Sequence, residues 1–266
     1  MLLFAVTVAH AQQPEAPPPG EPAPASSAEP RAPHEPAAVV AIGDGVVAGF
    51  SPAPEAVTPA DTVEPARMVT ATVPGGWVPV LADCLEERAP QRFSVVDRAV
   101  TAETLVSARQ RVSAVRDLSP GFVVVTLGAQ ELNSGEGQPA DLKQLRGELD
   151  DLVGDLVGKG RKATRPMVLL LSMVPANLAQ GGVTGEAEAV ETQQREVDTR
   201  IGSWNDALSQ VAKGNDLVTH VNLLADWPAQ PDARAALTER GWTLSDQGHA
   251  RVAAAVCDAI LAAARP

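Results

Sequence analysis

Residues 41–50 read AIGDGVVAGF, preceded by Ala38, Val39 and Val40. The apolar run from Ala38 to Ile42 has no polar alternation, the pattern of a strand covered on both faces. Gly43-Asp44-Gly45 follows as a turn.

Four more apolar runs follow: 93–97 (FSVVD), 121–127 (GFVVVTL), 166–173 (PMVLLLSM) and 217–223 (LVTHVNL). With 38–43 they make five strands. Helical patterns separate them, near 76–88, 102–116, 139–158, 186–213 and 246–264; in the last, Val252, Val256 and Ile260 form one stripe at i+4 spacing. Strands alternating with helices predict an α/β fold, a three-layer sandwich around a five-stranded parallel sheet with right-handed crossovers. Ligands of such sheets bind at the carboxyl ends of the strands, here after residues 43, 97, 127 and 173. Residues 50–75 contain five prolines and form a long insertion after the first strand.

The folded region is expected over 38–266. Ahead of it, MLLFAVTVAHA (1–11) is similar to the apolar part of a secretory signal, with Ala9-His10-Ala11 as a small-x-small cleavage site. Residues 12–37, mostly Pro, Ala and Glu, cannot build a core and read as an extended tether. The expected location is periplasmic or secreted. No later apolar run reaches the ~20 residues of a membrane span.

The 266-residue chain carries a net charge of −12, of which the tether holds −3. An acidic domain without a compensating basic stripe repels phosphate backbones, so nucleic-acid binding is not expected. The two cysteines, Cys84 and Cys257, are too few for a disulfide scaffold or a zinc site, and no metal or cofactor is expected. One disulfide is compatible with export.

Gly43-Asp44-Gly45-Val46-Val47-Ala48 also satisfies the G-x-G-x-x-G/A dinucleotide pattern. That motif needs a helix to open at the glycines and an acid about 20 residues on. A proline-rich insertion follows instead, and Asp97 lies far beyond that spacing. The pattern is therefore set aside.

Across 38–264 the chain resembles the SGNH (GDSL) hydrolases, particularly their lysophospholipase, thioesterase and arylesterase branch. That family places a Ser nucleophile after its first strand. Its oxyanion donors are the Ser N–H, a Gly N–H and an Asn amide, and an Asp and a His three residues apart precede its last helix. Carried onto this chain, Gly43-Asp44-Gly45 puts Gly45 at the nucleophile. VVDRAVTAET puts Ala102 at the oxyanion Gly. LGAQEL puts Gln130 at the Asn and Glu131 at the following Asp. RGWTLSDQGH puts Arg240 at the Asp and Thr243 at the His.

The nucleophile, the base, its orienting acid and the side-chain oxyanion donor are thus all replaced. Loss of triad members in a serine hydrolase costs roughly 10⁶ in turnover. The resemblance therefore implies an esterase-like fold without the esterase chemistry. Its former active-site cleft, at Asp44, Gly45, Ala102, Gln130 and Thr243, would bind a small molecule, a glycan or a protein. The alternative is an active esterase with an unorthodox site, His249 acting with Ser245 or Thr243. Against it, Ser245 or Asp246 reads as a helix cap and His249 as a packing residue. Trp77, Trp204 and Trp242 read as core rather than a ligand wall, Asn205 as structural, and His220 as a buried, hydrogen-bonded histidine. The family's topology also sets the helices of Cys84 and Cys257 side by side, which implies a Cys84–Cys257 disulfide.

Overall fold

A computed structural model describes residues 36–44, 76–133, 141–159, 165–178, 187–227, 234, 236–240 and 243–264, all within the folded unit 35–266. The proposed signal and tether (up to residue 35), the insertion at 50–75, Gly45 and Trp242 lie outside the described residues, as does the side chain of Arg240.

Five strands form one all-parallel sheet: β1 (Ala37–Gly43), β2 (Phe93–Asp97), β3 (Phe122–Thr126), β4 (Met167–Leu171) and β5 (Val218–Val221), in the order β2-β1-β3-β4-β5. The central strand β3, FVVVT, is buried at every position, as its uniform apolar composition requires of a strand covered on both faces. The chain moves outward from β1 to β2 and then crosses back to β3. The order therefore reverses between β1 and β3, where open α/β sheets form their binding crevice.

One face carries α2 (Leu105–Gln110), α3 (Val112–Arg116), α5 (Leu142–Val157) and α6 (Ala187–Lys213), packed on Val40, Ile42, Val123, Val125, Val168 and Leu170. The other carries α1 (Trp77–Arg88) and α7 (Asp246–Ala263), packed on Val39, Ala41, Val124 and Leu169. This is the expected three-layer α/β sandwich. Leu145, Leu149, Leu152 and Leu156 put the buried stripe of α5 on one side, and Asp141 caps the helix by accepting the Lys143 and Gln144 N–H groups. Ser245 caps α7 by accepting the Gly248 N–H, and α4 (Ala129–Asn133) is a single short helix after β3.

The pattern at 102–116 is a correction. It is two short helices, broken at Arg111, and it starts late because Ala102 has φ +58° and cannot belong to a right-handed helix. A Thr104–Ser107 capping box opens α2 instead. The antiparallel pair β6 (Thr238–Arg240) and β7 (Thr243–Leu244), just before α7, was not foreseen, because two strands of three and two residues carry no periodicity.

Trp77 and Trp204 are fully buried core residues. Cys84 of α1 and Cys257 of α7 are joined in a disulfide with Cα atoms 6.4 Å apart, a separation ordinary for such bridges.

Candidate functional site

The loops after β1, β2 and β3 meet at the carboxyl ends of the strands. Gly43 ends β1 with φ +143°, and a Cβ there would lie 2.2 Å from the Thr126 carbonyl oxygen, so only glycine permits this approach to β3. The next residue is held from both sides. Asp44 N–H donates to Thr126 O at 3.1 Å, and the Val100 N–H donates to Gly43 O at 2.9 Å.

Asp44 is buried, and its carboxylate takes a different donor on each oxygen. Oδ1 accepts the Ala102 N–H at 3.0 Å, and Oδ2 accepts the Gln130 amide Nε2 at 2.6 Å. Ala102 and Gln130 are the positions where the resemblance puts two oxyanion donors. The structure therefore brings Asp44, Ala102 and Gln130 together. In this arrangement the single proton of the Ala102 amide and one of the two on Gln130 are engaged by a carboxylate of the same chain.

A second buried acid braces the turn. Glu103 Oε2 accepts the Gly43 N–H at 3.1 Å, while Oε1 is paired with Arg111 through Nε at 2.8 Å and Nη2 at 2.6 Å. Arg111 Nη2 also donates to the Arg98 carbonyl at 2.8 Å. Burial pushes the Glu103 carboxyl up to about 7, against the Arg111 guanidinium and the Gly43 N–H, which favour the ionised form. Glu131 accepts the Leu105 N–H at 2.6 Å, and Asp97 accepts the Ala99 N–H at 2.8 Å; burial raises both carboxyls. The sequence reading did not single out Glu103 or Arg111. The acid stands directly after Ala102 in VVDRAVTAET, but nothing in that stretch shows that it reaches back to Gly43.

The other positions are arranged differently. Thr243 is half-buried and pairs with Arg240 across the β6–β7 ribbon. Ser245 Oγ donates to the Ala236 carbonyl at 2.6 Å and accepts the Gly248 N–H at 3.2 Å. Its one proton is therefore engaged by the Ala236 carbonyl rather than aimed at a base. His249 is buried in the first turn of α7. Asn205 is structural: it accepts the Met173 N–H and donates to the Met173 carbonyl. His220 is half-buried on β5, with Nε2 2.9 Å from Ser172 Oγ, and burial lowers its pKa. Among the described residues no group of three or more His, Cys, Asp or Glu side chains could hold a metal ion, and no helix is long and apolar enough to cross a membrane.

Residues 41–251 match the model of the GDSL-like lipase/acylhydrolase family. The chain belongs to that family. Solved structures share its fold. A lipase/acylhydrolase from Enterococcus faecalis is 16% identical with a TM-score of 0.61, over 86% of this chain and 98% of that one. The acetyl xylan esterase AlAXEase is 13% identical with a TM-score of 0.53, over 84% and 99% of the two chains. TesA is 16% identical with a TM-score of 0.53, over 84% and 97%. No curated protein matches the sequence. This GDSL-family chain thus shares the α/β fold of these structures, and in it the loops after β1, β2 and β3 meet around Asp44.

Proposed function

We propose that the chain is an exported, catalytically silent GDSL-family domain that binds a small molecule, glycan or protein at the former active-site cleft. The observation that carries the reading is the Asp44 carboxylate bound to both Ala102 N–H and Gln130 Nε2. An acyl-transfer site must present preorganised donors to a developing negative charge. Here a carboxylate of the same chain already engages those donors, and Gly45 has no side chain that could serve as a nucleophile. Thr243 has no basic nitrogen with which to replace the histidine base. The signal-like residues 1–11, the Pro/Ala-rich stretch 12–37 and a Cys84–Cys257 bridge support export to an oxidising compartment.

A second reading rests on Ser172 and His220, whose Oγ and Nε2 atoms are 2.9 Å apart. A histidine with lowered pKa is neutral at pH 7 and is a competent base toward a serine hydroxyl. Ser172 is only 4% exposed, however, which denies an ester the approach. Treatment of the full chain with a fluorophosphonate probe, followed by mass spectrometry, separates the two. The silent domain gives no adduct; an adduct on Ser172 establishes the second reading. Saturation-transfer NMR with acetylated xylo-oligosaccharides and with p-nitrophenyl acetate then tests the cleft. Transfer weakened by a bulky Ala102→Leu substitution supports binding there, and its persistence places the ligand elsewhere.

A further inference from the structure

Residues 159–165 read KGRKATR, four of the chain's 21 Lys and Arg with no acid among them, in a protein of net charge −12. Arg161 and Lys162 fall outside the described residues. The flanking Lys159 and Arg165, with Arg116 from the end of α3, line a cavity of about 180 Å³ together with Ser119, Val157 and two prolines. None of the lining residues is acidic. The cavity lies at the amino ends of β3 and β4, the edge of the sheet opposite Asp44.

Like charges do not gather without a reason, since each pair repels by about 1 kcal/mol at 4 Å even in water. Several arginines elsewhere on this surface are ion-paired, Arg88 with Asp258, Arg109 with Asp151 and Asp155, and Arg234 with Asp198, while Arg92 and Arg146 donate to the neutral acceptors Ala264 O and Gln210 Oε1. Arg116, Lys159 and Arg165 form no ion pair among the described residues. Arg165 Nε is buried and has no hydrogen-bond partner there, although a buried charged donor ordinarily has one. The ends of α3 and α5 supply part of the explanation, because a helix C-terminus carries roughly half a negative charge. Three full positive charges around one cavity exceed that.

We propose that this cavity is a binding site for a phosphate group, free or carried as a phosphomonoester. The two guanidiniums supply forked donors, Lys159 a point charge and Ser119 a hydroxyl, the donor set that planar and tetrahedral oxyanions select. At about 30 Å³ per water, the volume corresponds to roughly six waters, enough for one tetrahedral anion with part of its hydration.

The test is a ¹H–¹⁵N NMR titration of the full chain with inorganic phosphate, with sodium chloride added to hold ionic strength constant across the series. The proposal expects saturable shifts of the Ser119, Lys159 and Arg165 amides. They should weaken at least tenfold in Arg165→Gln and severalfold in Lys159→Gln, an exposed site where folding is not at risk. Shifts that chloride alone reproduces, that never saturate, or that survive in Lys159→Gln and a folded Arg165→Gln overturn it. A vesicle arm distinguishes the sources. Sedimentation with phosphatidylcholine vesicles containing phosphatidic acid, displaced by free phosphate, identifies a lipid phosphomonoester. Saturable phosphate binding without sedimentation identifies the free anion.

Discussion

At the scale of single residues, Ala102 holds a left-handed backbone conformation, φ +58°, in which an L side chain is strained by about 1–2 kcal/mol. Glycine there would relieve the strain but gain about 0.4–1 kcal/mol of unfolded-state freedom. Ala102→Gly should therefore raise stability by about 0.5–1 kcal/mol in urea unfolding; a loss of stability would show that the methyl group makes contacts worth more than the strain. Glu103 gives a pH signature. Its carboxyl ionises near 4.5 in the unfolded chain and near 7 in the folded one, so between those values the folded state binds more protons. Stability contributed at this site falls as pH rises from about 4.5 to about 7 and is level above, by at most about 3 kcal/mol. Glu103→Gln should reduce the fall of stability with pH in denaturation curves taken at pH 5, 6, 7 and 8, leaving the part that the raised Asp97 and Glu131 carboxyls contribute. An unchanged slope would assign the titration to another acid. None of this was legible in AIGDGVV or VVDRAVTAET, because which loop carboxylate reaches which backbone N–H is decided by tertiary approach and not by spacing.

At the scale of elements, α6 ties the loops of the site edge to the sheet. Trp204 Nε1 donates to the Leu127 carbonyl at 3.1 Å, and Asn205 closes both hydrogen bonds of Met173 at 2.8 and 2.9 Å. Gly128 has φ +117°, and a Cβ there would stand 2.3 Å from Trp204 Nε1, so the tryptophan's seat depends on glycine. Asn205→Leu leaves two buried backbone groups of Met173 unsatisfied and should cost about 3 kcal/mol in chemical denaturation. A cost below 1 kcal/mol would mean that water replaces the amide. The strands and long helices were legible because Val- and Leu-rich runs and i+4 stripes are set locally. The break at Arg111 and the β6–β7 ribbon were not, since one is imposed by a loop conformation and the other by pairing between residues too few to show a period.

At the scale of the whole molecule, the Cys84–Cys257 bridge links the first and last helices across 173 residues. Loop-entropy models assign such a closure about 5 kcal/mol, an upper limit once native strain is counted. Reductant should lower the unfolding midpoint markedly, and no thiol should titrate in denaturant without it; two titrating thiols would show that the bridge does not form. The fold was legible from strand–helix alternation alone. The candidate site was legible only as a set of positions, since its main feature, a carboxylate held by Ala102 and Gln130, depends on a rotamer that no motif encodes. The central claim is that this GDSL-family domain has lost its chemistry, and p-nitrophenyl acetate hydrolysis by the purified chain tests it most directly. The account predicts a rate equal to the buffer blank for the natural sequence and for Gly45→Ser, because a hydroxyl at position 45 alone supplies no base to take its proton. Turnover above the blank by the natural sequence, abolished by Ser172→Ala or by His249→Ala, would contradict it.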